Sequence, residues 1–361
     1  LSQFISAPYA GQMLADLGAD VIKVELPGEG KGDIARKYDP MYKEMSLYFA
    51  SYNRNKRFLT LNLKTPEGQE IFRDLVRRSD GIIMASLSGF GQTGPNVHRQ
   101  ALDMSIQALS GFMDVTGFQD GPPTKGGPVL SDFIAGLYLA VGILAAYAYR
   151  QRTGMGQYID IALFDTMFVL MENYPAIYRM SGEVPVRSGN GRPFSAPVGT
   201  YQAKDGKWLQ ISGTAEAHFE KLTVLIGHPE YIGQEGMVGA AARKKYHDKQ
   251  LDADINKWLS QYTVKEAAAL LDECGIPNAI VQTAEEVFND PQVAAREMLI
   301  CPRETVLDDI PVIGNPIKMS ETPAEYRRGA CAAGYDSKEI LEELLERDEA
   351  QIAQLKEHKI I

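Results

Sequence analysis

From Phe133 to Tyr149 the chain carries no charge, and Ser131-Asp132 opens that run. A segment of this length and composition either crosses a bilayer or forms one long helix inside a large protein. Gly136 and Gly142, with Ala135, Ala140, Ala145 and Ala146, suit close packing against other elements; no second such run exists, and no signal peptide precedes it. A buried helix is therefore expected, with no membrane span. Asp132 then stands where helix backbone donors converge. It is either an N-cap that satisfies orphan amides or a carboxylate that a rigid helix presents to a bound molecule, and the residue pattern alone leaves both open.

With 361 residues, 45% of them apolar, the chain has material for a large core and by length divides into two domains. A net charge of −10 and a pI near 5.2 disfavour nucleic acid and anionic membranes as partners, so an anionic ligand must be held by local donors. Cys274, Cys301 and Cys331 are odd in number and far apart, which suggests neither a disulfide framework nor a zinc cluster and points to the cytoplasm. The chain starts at Leu1-Ser2-Gln3 without a methionine, in what reads as mid-element, so residues preceding it are expected.

The rest of the chain supplies the elements of an α/β fold. Ala7-Pro8 through Leu17 reads as a helix stopping at Gly18, and Asp20–Glu25 as a short strand. Phe58–Leu63 reads as a second strand, Thr65-Pro66-Glu67 caps a helix with Ile71, Phe72, Leu75 and Val76 on one face, and Ile82-Ile83-Met84 resumes the sheet. After the long helix, Tyr158–Leu163 alternates as a strand and an apolar helix runs towards Glu172. Pro185, Gly189, Gly191, Pro193 and Pro197 make a linker-like interval. Lys204-Asp205-Gly206 between Gly199–Ala203 and Lys207–Ile211 signals a hairpin, and helices follow around 215–226, 249–261 and 264–274. Pro302–Thr322 reads as an extended return, and Ser337–Lys359 as an amphipathic helical tail with Ile340, Leu341, Leu344 and Leu345 on its apolar face. The expected domains are a large α/β domain over 1–183, a linker at 184–195, a small α+β domain at 196–298, a return at 299–330, and a C-terminal helical part of the large domain at 331–361.

Several motifs invite other chemistry. Gly89-Phe90-Gly91-Gln92-Thr93-Gly94 matches G-x-G-x-x-G, but a dinucleotide site needs that loop to open into a helix, and Pro95-Asn96 does not begin one; a tight glycine turn is expected. The five histidines show no metal-ligand spacing, so no metal is expected. His98-Arg99 is either an anion contact or a surface pair. There is no G-x-S-x-G elbow. Among carboxylates that could attack an activated acyl group, Asp132 leads, with Asp160 and Asp165 as competitors; Asp165 fits a helix cap equally well.

A set of segments in fixed order makes a resemblance specific. These are Ala7-Pro8 with Leu14–Glu25; Asn55-Lys56-Arg57 through Leu61-Asn62-Leu63-Lys64; Ser88-Gly89-Phe90-Gly91; Gln107-Ala108 with Gly111; Gly121-Pro122-Pro123; Arg152-Thr153-Gly154 with Gly156-Gln157; and Asp290-Pro291-Gln292. Together they cover nearly the whole chain. The chain resembles the family III CoA-transferases, the group that includes formyl-CoA transferase, carnitine CoA-transferase and α-methylacyl-CoA racemase. The resemblance implies a Rossmann-like large domain with a parallel sheet, a smaller α+β domain, and a homodimer of interlocked rings. It implies CoA transfer from an acyl-CoA thioester to a free carboxylic acid, through aspartyl mixed-anhydride and aspartyl-CoA thioester intermediates. Coenzyme A enters as a substrate, with no permanently bound cofactor. The catalytic aspartate falls at Asp132. CoA contacts fall at Ile5 and Ser6, at Leu61, Asn62, Leu63 and Lys64, and at Arg99, Gln100, Ala101 and Leu102.

Three departures bear on activity. Where the racemase branch has a catalytic histidine this chain has Leu102, which cannot move a proton, so racemisation or epimerisation is the disfavoured alternative. The glycine-rich loop of formyl-CoA transferase is not evident between Gly191 and Gly199. Between Met84 and Ala85 the family normally has a further strand, helix and turn that supply CoA contacts; their absence implies either a real deletion or residues left out of this sequence, and if the deletion is real a CoA-binding homologue without activity is the second alternative. Donor and acceptor specificity is expected from loops around 187–200 and 212–218.

Overall fold

Thr65 accepts a hydrogen bond from the amide of Gly68 and Pro66 occupies the first helical position, so a helix starts where the sequence signals it and runs over Pro66–Arg77. The computed structural model describes residues 1–361 apart from Glu29, Asp80, Pro185, Glu304, Thr305, Val306, Asp308 and Asp309. Pro185 of the expected linker and part of the expected return at 302–322 therefore lie outside the described residues. The chain forms a mixed α/β fold in two units. One comprises Leu1–Ile106, Gly127–Val169 and Phe288–Ile361, the other Gln107–Gly126 and Leu170–Val287.

In the first unit, α1 (Ser6–Asp16) leads into β1 (Val21–Glu25), which pairs in parallel with β2 (Lys56–Thr60). β2 begins two residues earlier than Phe58 and ends at Thr60, because Lys56 is buried inside the strand and not before it. The helix over Pro66–Arg77 is α2. β3 spans Met84–Ser88, so the strand starts at Met84 and not at Ile82. The long helix α3 (Leu130–Thr153) crosses over to β4 (Tyr158–Ala162), which lies parallel to β3 and leads directly into α4 (Leu163–Val169). A single continuous sheet does not result. Among the described residues β1–β2 and β3–β4 are separate two-stranded sheets.

Several apolar clusters hold this unit, and two of them bear on the site. Val24, Leu59, Leu61 and Ile71 pack with Ile340, Leu341, Leu345, Ile352 and Leu355. These last come from α5 (Ser337–Leu345) and α6 (Glu349–Glu357). The tail is two helices because Glu346 turns into the left-handed region and Asp348 starts a new capping box with Gln351. Ala10 of α1 packs on Leu139 and Ala140 of α3, with Ala85, Leu87 and Ile161 of β3 and β4 against them.

In the second unit, β5 (Val198–Gln202), β6 (Trp208–Ser212) and β7 (Asn278–Ile280) form an antiparallel sheet. Gly206 has a φ of 79°, which is what the expected tight turn requires of it. Helices span Glu216–Leu225, Ala240–Tyr246, Asp248–Leu259 and Val264–Glu273, and Leu222, Ile255, Leu259 and Leu271 pack on the sheet. The helix at Ala240–Tyr246 was not expected. Its Arg243 is fully buried, bonding the carbonyls of Ala196, Thr214 and Met237 and the carboxylate of Glu216. Tyr174–Ser181 is helical and belongs to this unit, whereas the sequence reading set it in the large domain.

Candidate active site

Asp132 lies in the first turn of α3, but it does not cap the helix. The N-cap residue is Val129, which offers no side-chain bond. Asp103 takes that role from outside: its Oδ1 accepts from the Ser131 amide at 2.9 Å and from the Ser131 hydroxyl at 2.8 Å. The capping reading of Asp132 is thus corrected, and its carboxylate is left for another partner. That partner is Ser6, whose hydroxyl donates to Asp132 Oδ1.

The contact depends on how closely α1 meets α3. A Cβ on Gly136 would come within 2.6 Å of the Ser6 carbonyl oxygen, so only glycine permits this approach one turn beyond Asp132. Lys56 ties down the same turn of α1. It is buried, and its ammonium donates to the carbonyls of Pro8 and Tyr52 and to Asn53 Oδ1, at 2.7, 2.8 and 2.8 Å. Burial pushes its pKa well below the usual lysine value.

An aromatic wall stands beside the carboxylate. Phe133 meets Tyr9 edge-on at 4.9 Å and Tyr52 at 5.8 Å, and Tyr48 continues the row against Tyr52 at 5.6 Å. Burial raises the pKa of the Asp132 carboxyl; the Ser6 hydrogen bond opposes that rise and the charge of Asp103 adds to it. The phenols of Tyr48 and Tyr52 are raised as well, first by burial and with a contribution from Asp132 in both. Sequence reasoning did not find these tyrosines, or Asp103 as the cap. They come from segments far from Asp132 in the chain, and no spacing rule links them to it.

Ser6 opens onto a cleft of about 550 Å³ within the first unit. Of the expected CoA contacts, Ser6, Leu61, Leu63 and Lys64 line it together. Ile5 is buried behind them, and Asn62 turns its Oδ1 to the Lys64 amide. Arg99, Gln100, Ala101 and Leu102 do not line this cleft; Leu102 is 69% exposed, and Arg99 rests over the Phe90 ring at 5.7 Å. Asp33 and Glu25 of the cleft are paired with Lys23 and Arg36 respectively, leaving Lys64 as an exposed cation at its rim.

The competing carboxylates have other surroundings. Asp160 accepts from the Gln92 amide at 2.8 Å and shapes the glycine turn, while Asp165 is exposed on α4. The turn at 89–94 opens into further turns before the helix that begins at Asp103, which is not a pyrophosphate cradle. The second unit holds a cavity of its own, about 840 Å³, bordered by Arg187–Gly191, Val198–Thr200 and Trp208.

The pattern of the CoA-transferase family III matches residues 1–83 and 80–337 of the chain. The chain is 34% identical over 388 aligned positions to a succinyl-CoA–D-citramalate CoA-transferase of Chloroflexus aurantiacus, covering 100% of the chain and 96% of the relative. It is 37% identical to a succinyl-CoA:mesaconate CoA-transferase of Haloarcula marismortui, covering 89% of the chain and 88% of that protein. The crystal structure of a CaiB/BaiF family protein from Brucella suis superposes with a TM-score of 0.81 at 33% identity, covering 95% of this chain and 97% of that one. With the pattern matched along most of its length and relatives of this identity across it, the chain belongs to the CoA-transferase family III.

Proposed function

We propose that this protein transfers coenzyme A from an acyl-CoA thioester to a free carboxylic acid, with Asp132 as the covalent carrier. The observation that carries the reading is the carboxylate itself. Asp132 is held at a helix N-terminus, relieved of capping by Asp103, half-buried, and bonded by the Ser6 hydroxyl.

In the first step an Asp132 oxygen attacks the donor thioester carbon and the C–S bond breaks, giving a mixed anhydride and CoA thiolate. The thiolate then attacks the Asp132 carbonyl carbon, expels the donor acid as its carboxylate, and leaves an aspartyl-CoA thioester. An acceptor carboxylate repeats the exchange: it displaces thiolate to form a second anhydride, and thiolate attacks the acceptor carbonyl, releasing the new thioester and free Asp132. No proton is consumed over the cycle. A buried carboxylate with a raised pKa is the more basic nucleophile once ionised, and the Ser6 hydroxyl stabilises charge as it returns to Asp132.

For the CoA moiety, Ser6, Leu61, Leu63 and Lys64 at the cleft are the first candidates, with Ile5 and Asn62 shaping it and Arg99–Leu102 as a further segment. Leu102 offers no proton to a substrate α-carbon, which favours transfer over racemisation. Relatives named for succinyl-CoA with citramalate or mesaconate, and one named for succinate and glutarate, make a small dicarboxylic acid the first acceptor to try, with the 187–200 loop beside the second unit's cavity as its specificity element. The working form is proposed as an interlocked homodimer. One side of α3 supports it, where Leu137, Tyr138, Val141, Leu144 and Tyr147 are all exposed. Cysteines without disulfides suit a cytoplasmic location.

Hydroxylamine trapping with succinyl-CoA, followed by mass spectrometry, tests the carrier. A hydroxamate on Asp132 is expected; its appearance on Asp165, or on no aspartate, sinks the reading.

A further inference from the structure

Lys56 opens β2 and is only 1% exposed. An ammonium has three donors, and each finds one oxygen here: the carbonyls of Pro8 and Tyr52, and Oδ1 of Asn53. Asn53 is itself fully buried and donates through Nδ2 to the Phe49 carbonyl at 2.9 Å, which fixes its Oδ1 towards Lys56. All three acceptors are neutral. Burying a cation among them costs desolvation that an apolar side chain of the same length would not incur, so what Lys56 contributes is geometry.

The two carbonyls belong to the segments that flank Asp132. Pro8 precedes Tyr9 in α1, and Tyr52 ends the short helix Leu47–Ser51. The rings of Tyr9 and Tyr52 both meet Phe133 edge-on, with planes at 80° and 70° to it. Phe133 follows Asp132 in the opening turn of α3, so its ring is clamped between two segments that one ammonium holds together. Gln12 braces the same segments one turn further along α1: its Nε2 donates to the Ser51 carbonyl at 3.1 Å, and its Oε1 accepts from the Arg54 amide at 3.2 Å. Loss of Lys56 therefore loosens the clamp without detaching the 51–54 turn.

We propose that Lys56 is a positioning residue for the transfer reaction: it sets the spacing of Tyr9 and Tyr52 about Phe133, and through that clamp the aim of the Asp132 carboxylate. The proposal rests on Asp132 being the carrier. A nucleophile displaced by about 1 Å from its attack geometry loses on the order of a hundredfold in rate. Leu61, Leu63 and Lys64 of the CoA cleft take no part in the clamp, so binding of the thioester is left as it was.

Steady-state transfer from succinyl-CoA to citramalate tests it, using Lys56→Met, which keeps an unbranched stem and removes the donors. The kcat should fall by about tenfold to a hundredfold, with KM for succinyl-CoA within about threefold of the parent. A raised KM with kcat unchanged would overturn the proposal. Phe133→Leu closes a double-mutant cycle: if Lys56 acts through the ring, Lys56→Met should cost less than about threefold in kcat once Phe133 is gone, and losses that multiply would place its action elsewhere. If Lys56→Met does not fold, Tyr9→Leu and Tyr52→Leu decide the matter, since they remove the rings and leave the Pro8 and Tyr52 carbonyls to Lys56. Each should lower kcat by about tenfold at unchanged KM, and parent-like kcat in both refutes the clamp. Hydroxylamine trapping on the parent separates the two readings. No hydroxamate on Asp132 there fails the carrier, whereas a parent hydroxamate with parent-like kcat in the clamp variants fails the role of Lys56 alone.

Discussion

Asp103 accepts from both the amide and the hydroxyl of Ser131 through one oxygen, and so does for α3 what Asp132, the residue after Ser131, was positioned to do. The division of labour gives two carboxylates two environments. Asp103 is occupied and structural, and its charge raises the Asp132 pKa, whereas the Ser6 hydroxyl lowers it.

These opposing influences predict opposite pH shifts. If transfer needs ionised Asp132, the acid limb of the rate profile follows its pKa. Asp103→Asn keeps an acceptor for Ser131 but removes a negative charge, so the limb should move to lower pH. Ser6→Ala removes a donor to the ionised form, so the limb should move up, with a rate loss of about ten- to a hundredfold at neutral pH for a charged hydrogen bond of about 1.5–3 kcal/mol. Rate profiles of the two variants that shift in the same direction would rule out this electrostatic arrangement.

Replacing the carrier should separate activity from stability. Asp132→Asn and Asp132→Ala are both expected to lose transfer by on the order of 10⁴-fold or more. Neither should cost a helix cap, because Asp103 holds that position. The folded-state pKa of Asp132 is raised, so its ionisation opposes folding: the penalty is absent below the unfolded carboxyl pKa and grows as pH rises through the folded one. The Asn variant should therefore melt at or above the parent temperature at neutral pH, with the difference vanishing in acid. Thermal midpoints measured across pH check this, and an Asn variant less stable at pH 7 than at pH 4, relative to the parent, contradicts it.

What the sequence disclosed follows from the range of each signal. The Thr65-Pro66 start, the Lys204–Gly206 turn and the apolar run of α3 are local, and the structure has them where the residues imply. Lys56 was legible only as part of the Asn55-Lys56-Arg57 segment, and its burial among three acceptors from α1 and the 52–53 turn is set by the tertiary fold. Asp132 stood out because it opens the long uncharged apolar run. Its setting did not: Ser6, Tyr48 and Asp103 reach it from separate segments, and only the tertiary fold brings them there. The separate sheets were not legible from the strands themselves, since each strand is locally sound and pairing is a property of the tertiary fold.

The α1–α3 contact offers a steric test with an internal control. Gly136→Ala places a methyl 2.6 Å from the Ser6 carbonyl oxygen, a backbone atom that must move. A stability loss of about 1–3 kcal/mol is expected, together with loss of transfer as Ser6 leaves Asp132. Gly142 in the same helix faces only the Ile159 side chain, at 3.3 Å. There the gain in helix propensity, up to about 1 kcal/mol, offsets the tight contact, and Gly142→Ala should be close to neutral. Denaturant midpoints and transfer rates of the pair decide it; equal effects at both positions would mean that the closeness to Ser6 is irrelevant.

The exposed side of α3 tests the second copy. A helix apolar all round is stable in water only if something covers its whole circumference. Within one chain Ala135, Gly136, Leu139, Ala140 and Ala146 are buried, while Val141 is 63% and Leu144 50% exposed. Closed symmetric pairs are the commonest way to cover such a stripe, and the contact then repeats on both copies. Val141→Asp with Leu144→Asp places charges on the stripe without touching the buried side, so each chain should still fold. Sedimentation at micromolar concentration is expected to show two chains for the parent and one for the double variant, with circular dichroism unchanged. A parent that sediments as a single chain, or a double variant that stays paired, would show that another surface joins the copies or that none does.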